Sequence, residues 1–236
     1  MVHGGLEINQ VSTIKENLLR VTERIEKAAR KTGRDPGEVT LVAVSKTVEI
    51  ARIEEAIDAG VAILGENYVQ EAQKKIEEIG HRVFWHFIGH LQSNKAKYAI
   101  HLFDMIHSLD SLALAEELNR RAAQAGRVIK VLIEVKLSEE VTKFGTEEDD
   151  VLSLAKRLPS LGHLSLEGLM TMPPYFDLAE RSRPYYVRLR ELKERMVREG
   201  VPIKELSMGM SNDFEIAIEE GATYVRVGTA IFGPRN

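Results

Sequence analysis

The chain has 236 residues, of which 44% are hydrophobic and 29% charged, so it is long enough to bury a large core. Its net charge of −4 offers no overall positive field to nucleic acid. The absence of cysteine excludes disulfides, thiolate metal sites and cysteine nucleophiles. The N-terminus lacks the pattern of a signal peptide, and no apolar run reaches a membrane-spanning length. These features predict a soluble cytoplasmic protein that binds neither nucleic acid nor membranes.

The first predicted element is an amphipathic helix over residues 9–30. Its apolar residues recur every three or four positions, as on one face of a helix: Val11, Ile14, Leu18, Val21, Ile25 and Ala28. Gly33 and Pro36 then end the helix and turn the chain.

Eight short apolar runs typical of buried strands follow this helix. They span residues 39–45, 61–65, 83–89, 102–108, 129–136, 164–172, 205–209 and 224–228. Helix-like segments fill most of the gaps, so the alternation predicts an α/β fold with a parallel sheet. Eight repeats predict closure into a single (β/α)8 TIM-type barrel over residues 39–233, with the N-terminal helix as an addition. A doubly wound open sheet is the alternative. No linker or shift of composition interrupts the chain, so residues 1–236 are predicted to form one domain.

Lys46 directly follows the first of these runs, TLVAVS. Strand alternation places it on the face of Val42 and Val44, at the C-terminal strand end where barrels carry their functional residues. Apolar surroundings disfavour the charged form of an amine, which then becomes a nucleophile able to form a Schiff base with an aldehyde. The alternative is a solvated surface lysine, which is the commoner case at the end of a strand.

Turns rich in serine and glycine follow the last two predicted strands. The first reads SMGMSND and the second VGTAIFG. Exposed backbone N–H groups in such turns, together with the hydroxyls of Ser207, Ser211 and Thr229, are typical of a phosphate cradle. Either turn alone is ordinary turn chemistry, but two on consecutive strands of a barrel favour phosphate binding.

Arg226 lies inside the last predicted strand, on the face shared with Tyr224 and Gly228. A buried guanidinium needs a partner. Two interpretations stay open: an ion pair with a barrel carboxylate such as Glu134 or Glu167, or contact with a ligand at the barrel mouth.

The histidines predict no metal site. His86 and His90 are four residues apart, but they straddle a strand end and do not share one helix face. His101 and His107 lie around the fourth predicted strand and are expected to be structural histidines with satisfied hydrogen bonds.

Seven segments, in order, carry a resemblance to a known family: LVAVSKT, GENYVQE, WHFIGHLQSNKAK, SLDS, GLMTMP, LSMGMSNDFEIAIEEG and VRVGTAIFG. They extend from about Val39 to Gly233. Together they resemble the pyridoxal-phosphate homeostasis protein family, whose members are related to the barrel domain of alanine racemase.

This resemblance implies that pyridoxal 5′-phosphate (PLP) is held as an internal aldimine on Lys46. It also implies that the turns after the last two strands hold the phosphate, that Arg226 faces the pyridine nitrogen, and that Asn67 lies near the ring. The cofactor-binding residues that it implies are Lys46, Asn67, His86, Ser207, Met208, Gly209, Ser211, Arg226, Gly228 and Thr229. A guanidinium beside the ring nitrogen disfavours its protonation, so the ring would be a poor electron sink.

The predicted function is therefore a PLP-binding protein that stores, buffers or delivers the cofactor, with no efficient turnover of its own. The partners implied are PLP and PLP-dependent apoenzymes as recipients, and a monomer is expected.

One alternative is a racemase-like PLP enzyme. Racemisation needs a second acid–base group, which alanine racemases take from a separate β domain that is expected to be missing here. Tyr68, Tyr175 or Tyr224 would have to substitute. The other alternative is a barrel enzyme that acts on a phosphorylated metabolite without PLP.

Overall fold

The structure is a computed structural model that describes residues 13–138 and 144–234. Eight parallel strands form its central sheet: β1 Thr40–Val44, β2 Ile63–Glu66, β3 Phe84–Phe87, β4 Met105–Leu109, β5 Ile129–Lys136, β7 Leu164–Met170, β8 Glu205–Met210 and β9 Tyr224–Val227. A two-residue strand, β6 (Thr146–Glu147), pairs with the end of β5 outside this set. The first and last strands pair, with Val42 opposite Arg226, and β4 pairs with β5. The sheet is therefore closed, which confirms the predicted barrel and excludes the open doubly wound sheet.

Helices surround the barrel and alternate with its strands. Their bounds are α1 Ile14–Lys31, α2 Ile50–Asp58, α3 Val69–Ile79, α4 Ala96–Leu102, α5 Leu112–Gln124, α6 Glu148–Arg157, α7 Arg183–Arg198, α8 Phe214–Glu219 and α9 Thr229–Phe232. Within the described ranges, none of the helices has both the length and the apolar character needed to cross a membrane.

The predicted N-terminal helix corresponds to α1. Thr13 caps it through a capping box with Glu16, and residues 9–12 of the prediction lie outside the described residues. The helix packs against α2, α8 and α9, and Arg24 forms an ion pair with Glu215 at 2.6 Å. These contacts attach α1 to the outside of the barrel. That residues 1–236 form one domain stays a prediction.

The alternation of side chains along each strand divides the interior into two layers. Outward-facing residues such as Ala43, Trp85 and Val225 join the main apolar core between the sheet and the helices. Inside the barrel, the apolar cluster is small and consists of Met105, Leu132 and Met170, with Met172 and Tyr224 packed against it. Polar side chains, among them His86, His107 and Ser207, occupy other interior positions beneath the mouth, beside the apolar Val42 and Val44.

Candidate functional site

A cavity of about 230 Å³ opens at the C-terminal ends of the barrel strands. Six of the ten predicted site residues line it: Lys46, Asn67, Ser211, Arg226, Gly228 and Thr229. A larger groove of about 540 Å³ lies between α1 and the segments that lead into β1 and β2, and none of the predicted residues lines that groove. The candidate site is therefore the cavity at the barrel mouth, which we call the mouth cavity.

Lys46 lies two residues beyond the end of β1 and lines the mouth cavity together with Val44. It is half-buried, which favours a role in the cavity over the alternative of an ordinary solvated lysine. Ser45, just before it, is completely buried, and its hydroxyl donates to Glu66 Oε1 at 2.6 Å. Thr47, just after it, has φ of 61°, and no other non-glycine residue in the described ranges has positive φ. The chain therefore turns sharply at the lysine.

The turn after β8 and the turn after β9 meet at the side chain of Ser211. Its Oγ accepts hydrogen bonds from the backbone N–H groups of Gly228 at 3.2 Å and Ala230 at 3.4 Å. Two N–H donors thus converge on one oxygen at the edge of the mouth cavity, and the exposed Thr229 lies between them. Convergent backbone donors beside a hydroxyl are the groups that a phosphate requires.

Gly209 allows α8 to approach the end of β8. Its φ is +91°, and a Cβ there would lie 2.5 Å from Ala217 Cβ and 2.9 Å from Phe214 Cα. Any side chain would therefore both strain the backbone and push away the helix that follows the Ser211 turn. Gly209 supports the site through the position of this helix and is not among the residues lining the cavity.

Ser207 and Met208, also predicted for the site, lie within β8 and point in opposite directions. Ser207 is completely buried inside the barrel, where its hydroxyl bonds to the side chains of His107 and Arg226. It does not line the mouth cavity. Met208 is completely buried on the outward face, in the core between sheet and helices. The side chain of Met208 therefore cannot reach the mouth cavity from this position.

Arg226 extends from β9 beneath the cavity and is only 3% exposed. Its Nη1 donates to Ser207 Oγ at 2.6 Å, and its Nη2 donates to the carbonyl oxygen of Thr171 at 3.0 Å. Among the described residues, Arg226 forms no ion pair with Glu134 or Glu167 at salt-bridge distance, and its side-chain donors bond to Ser207 and Thr171 instead. Arg226 lines the mouth cavity, and its contact with a ligand there stays a prediction. Burial lowers the pKa of Arg226, and Glu134 among other neighbours opposes that change.

His86 and His107 continue the hydrogen bonds of Arg226 across the barrel. His107 Nδ1 lies 2.9 Å from Ser207 Oγ, and His107 Nε2 lies 3.0 Å from His86 Nδ1. Since Arg226 can only donate, Ser207 accepts from it and has its own proton to give to His107. His107 then donates from Nε2 to His86. The assignment follows from which atoms can donate, and it gives a donor and an acceptor to each hydrogen bond from Arg226 to His86.

Burial keeps both imidazoles neutral near pH 7. It lowers the pKa of His86 to about 4, and it holds the pKa of the completely buried His107 well below its ordinary value. The cationic Arg226 adds to the effect on His107. Arg226 is thus held by neutral acceptors, and neither of the two histidines places a second positive charge beside it. The expectation that His107 is hydrogen-bonded is confirmed, but it lies within β4 and not at its flank.

Glu134 faces the same interior from β5. It is 3% exposed, and burial raises its pKa to about 7 although the charge of Arg226 opposes this. A cavity of about 140 Å³ lies at this side, lined in part by Glu134 and by Met172, which also lines the mouth cavity. The described interior beneath the site therefore brings the permanent cation of Arg226 near a carboxyl group, that of Glu134, whose pKa is close to neutrality.

Asn67 follows β2 and contributes a buried acceptor to the mouth cavity. Its Oδ1 accepts no hydrogen bond from any described residue. An unsatisfied buried oxygen is costly, so a donor group of a ligand would be favoured there. Gly89 makes this position possible, because a Cβ on it would lie 2.3 Å from the carbonyl oxygen of Asn67.

A cluster of charged side chains behind Lys46 was missed by the sequence analysis. It consists of Glu66, Glu71 and Lys75, of which Lys75 is only 5% exposed. A signal for it exists in the sequence, because Lys75 occupies a position on the apolar face of α3 between Ala72 and Ile79. Within the described ranges, no group of three or more metal-ligating side chains is placed to hold a metal ion.

Comparison with known proteins agrees with this geometry. The sequence model for the domain described as "Alanine racemase, N-terminal domain" matches residues 17–236. The match defines the class of the protein as a barrel domain of the alanine racemase type.

Relatives that are similar over nearly the whole chain narrow this class. The pyridoxal phosphate homeostasis protein of Aquifex aeolicus is 46% identical over 222 residues, which cover 93% of this chain and 97% of that protein. The protein of the same name from Escherichia coli K12 is 42% identical over 234 residues, covering 96% and 98%. The solved structure of PipY from Synechococcus elongatus PCC7942, with PLP bound, has a TM-score of 0.83 at 37% identity and covers 94% of this chain and 100% of that one. The chain therefore belongs to the pyridoxal phosphate homeostasis protein family, as its motifs predicted.

Proposed function

We propose that this chain binds PLP in the mouth cavity, holds it covalently on Lys46, and stores, buffers or delivers it. The observation that carries the proposal is the meeting of a half-buried lysine, a buried guanidinium and a turn with convergent N–H donors around one cavity. The solved structure of PipY, similar to this chain over 94% of its length, has PLP bound, which supports the choice of cofactor.

The residues present fit the chemical groups of PLP. Ser211, Gly228 and Thr229 are suited to the phosphate, because they bring hydroxyls and backbone N–H groups together. Asn67 Oδ1 is an acceptor without a partner among the described residues, so it suits a hydroxyl of the ring. Bound PLP supplies an aldehyde. Condensation of the Lys46 amine with it releases one water and requires no oxidant or further cofactor.

Arg226 decides what kind of chemistry the site favours. Its guanidinium donates to Ser207 and Thr171, which fix it beneath the cavity, and neutral histidines support Ser207. We propose that it faces the ring nitrogen of PLP and keeps that nitrogen unprotonated. Such a ring withdraws electrons weakly, so the site holds the cofactor without efficient turnover.

A racemase-like enzyme is the second candidate function, and Tyr175 is the residue that favours it. Tyr175 lines the mouth cavity with Lys46, although it is 76% exposed. Tyr68 is also exposed, and Tyr224 packs inside the barrel against His86 and His107. Tyr175 is therefore the tyrosine that would have to act as the second acid–base group.

Chiral analysis distinguishes the two functions. The PLP-loaded protein is incubated with a large excess of L-alanine, and D-alanine is measured over time, with Tyr175→Phe as the matched variant. We expect no sustained conversion of L-alanine to D-alanine. We also expect the protein to transfer PLP to an added PLP-dependent apoenzyme, which is measured as recovery of that enzyme's activity. Many turnovers per site that are lost in Tyr175→Phe would contradict the carrier function and establish the racemase.

The finer parts of the account stay predictions. They are the monomeric state, the cytoplasmic location and PLP-dependent apoenzymes as the recipients of the cofactor.

A further inference from the structure

Lys75 lies behind the turn that carries Lys46 and uses all three of its protons there. Its Nζ donates to the carbonyl oxygen of Ser45 at 2.6 Å, to Glu66 Oε1 at 2.8 Å and to Glu71 Oε1 at 2.6 Å. An ammonium group has three donors, so none is left over. A lysine that is 5% exposed is unusual, and this one bonds directly to the residue before Lys46.

Glu71 and Glu66 connect the same lysine to both sides of the turn. Glu71 Oε1 accepts the backbone N–H of Thr47 at 2.5 Å, while Glu66 Oε1 accepts the hydroxyl of Ser45 at 2.6 Å. The residue before Lys46 and the residue after it are therefore both bonded to this cluster of three charged side chains, which we call the Lys75 cluster.

The backbone at Thr47 needs such support. Its φ of 61° is an outlier for a β-branched residue, and strained conformations of this kind persist only where the surroundings hold them. Two hydrogen bonds hold this one: the N–H of Val48 donates to the carbonyl oxygen of Ser45 across the turn, and the N–H of Thr47 donates to the side chain of Glu71. Without the bond to Glu71, Thr47 is expected to relax and to carry the backbone of Lys46 with it.

Stability alone does not account for the cluster. A buried ion pair is often no more stabilising than apolar residues of the same volume, because the charges must leave water. Glu66 is completely buried, burial raises its pKa, and its Oε2 has no partner among the described residues. The Lys75 cluster bonds to both neighbours of Lys46 in spite of this cost. Its presence is explained if the position of Lys46 matters for function.

We propose that Lys75, together with Glu66 and Glu71, positions Lys46 so that its amine is aimed into the mouth cavity for attack on the aldehyde. None of the three lines the cavity, so they are positioning residues and do not touch the ligand. The inference rests on the proposed function, because it assigns a role only if Lys46 forms the covalent bond. The expected consequence of losing the cluster is slow bond formation with an otherwise intact binding site.

The test uses two ligands. PLP reports on formation of the bond to Lys46, followed as absorbance after rapid mixing with the unloaded protein. An analogue in which a methyl group replaces the aldehyde reports only on the rest of the site. We expect Lys75→Met and Glu71→Ala to slow bond formation by about tenfold or more, because misplacing a reacting group is costly. Affinity for the analogue should stay at the wild-type value.

Control variants separate positioning from general damage. Glu77 lies on the exposed face of the same helix and bonds only to Gln73 among the described residues, so Glu77→Ala should react at the wild-type rate. Glu71→Gln keeps an oxygen acceptor for the N–H of Thr47, and its rate should be restored towards wild type. Glu71 is 24% exposed, so Glu71→Ala is expected to fold even if Lys75→Met does not.

Each outcome decides the inference. Slow bond formation with unchanged analogue affinity supports positioning. Wild-type rates in both cluster variants, or equal losses of bond formation and analogue affinity, would overturn it and leave the proposed function standing. A wild-type protein that binds the analogue but forms no bond through Lys46 would overturn the proposed function itself.

Discussion

His86 and Glu134 both face the barrel interior, and burial moves their pKa values in opposite directions. The pKa of His86 falls to about 4, and the pKa of Glu134 rises to about 7. Each shift stabilises the neutral form. Because the unfolded chain has the ordinary values, both residues make the stability of the protein depend on pH over nearly the same range.

We predict that the His86→Gln variant gains stability relative to wild type as pH falls. Between pH 6.5 and 5 the unfolded chain binds a proton at His86 but the folded protein does not, so acid favours unfolding of the wild type. The free energy of unfolding of wild type, relative to the variant, should fall by about 2 kcal/mol over this range. Urea denaturation at the two pH values measures it, and a difference independent of pH would contradict the assigned burial.

Glu134→Gln should show the opposite sign over the same range. From pH 5 to 6.5 the folded protein keeps its proton on Glu134 while the unfolded chain has lost it, so rising pH favours unfolding of the wild type. Relative to the variant, wild type should lose about 2 kcal/mol of stability from pH 5 to 6.5. The same denaturation series checks this, and slopes of equal sign in the two variants would refute the account of the interior.

The strands β7 and β8 approach so closely that one position excludes any side chain. Gly168 is paired with Glu205, and a Cβ on it would lie 1.9 Å from the carbonyl oxygen of Glu205. This contact is between a new carbon and the backbone of the neighbouring strand, so no rotamer change can relieve it. The barrel wall beneath the Ser211 turn therefore depends on a glycine here.

Gly168→Ala is predicted to lower the free energy of unfolding by about 2 kcal/mol or more, because overpacking forces the two strands apart. Gly162→Ala is the matched control, since a Cβ at that exposed turn would meet nothing within 4 Å. Chemical denaturation of both variants gives the comparison. Equal stability of the two would mean that the strands are not as close as described.

At the scale of elements, the sequence patterns predicted all eight barrel strands. They misplaced the start of one strand and missed the short β6, and both errors have physical causes. The run predicted at 102–108 begins inside α4, because Leu102 and Phe103 are as apolar as the strand that follows; β4 itself is Met105–Leu109. Apolar character reports burial but not backbone conformation, so it cannot separate the end of a buried helix from a strand. The two-residue β6 has no pattern long enough to detect.

For the molecule as a whole, topology explains why a site could be predicted before the structure. Parallel strands in a closed barrel bring their C-terminal ends to one mouth, so residues as distant in sequence as Lys46 and Thr229 line the same cavity. Side-chain direction was the weaker part of the prediction. Ser207 and Met208 were both assigned to the site, but one faces the barrel interior and the other faces the helices.

Contacts between distant elements could not be predicted in this way. The hydrogen bonds from Arg226 through Ser207 to His107 join three strands, and the Lys75 cluster joins α3 to the ends of β1 and β2. Such contacts depend on distances across the barrel, which no local pattern encodes. The polar network beneath the mouth and the support behind Lys46 therefore emerge only from the three-dimensional arrangement.

The most direct test of the central claim is the absorbance spectrum of the purified protein after incubation with PLP and removal of the excess. Wild type is compared with Lys46→Ala and with Lys97→Ala, which removes an exposed lysine outside the mouth cavity. We predict a yellow Schiff-base band, trapped by borohydride, in wild type and Lys97→Ala but not in Lys46→Ala. An equal band in all three proteins would show that another lysine binds the aldehyde. No band in any of them would contradict PLP binding and favour a barrel enzyme for a phosphorylated metabolite.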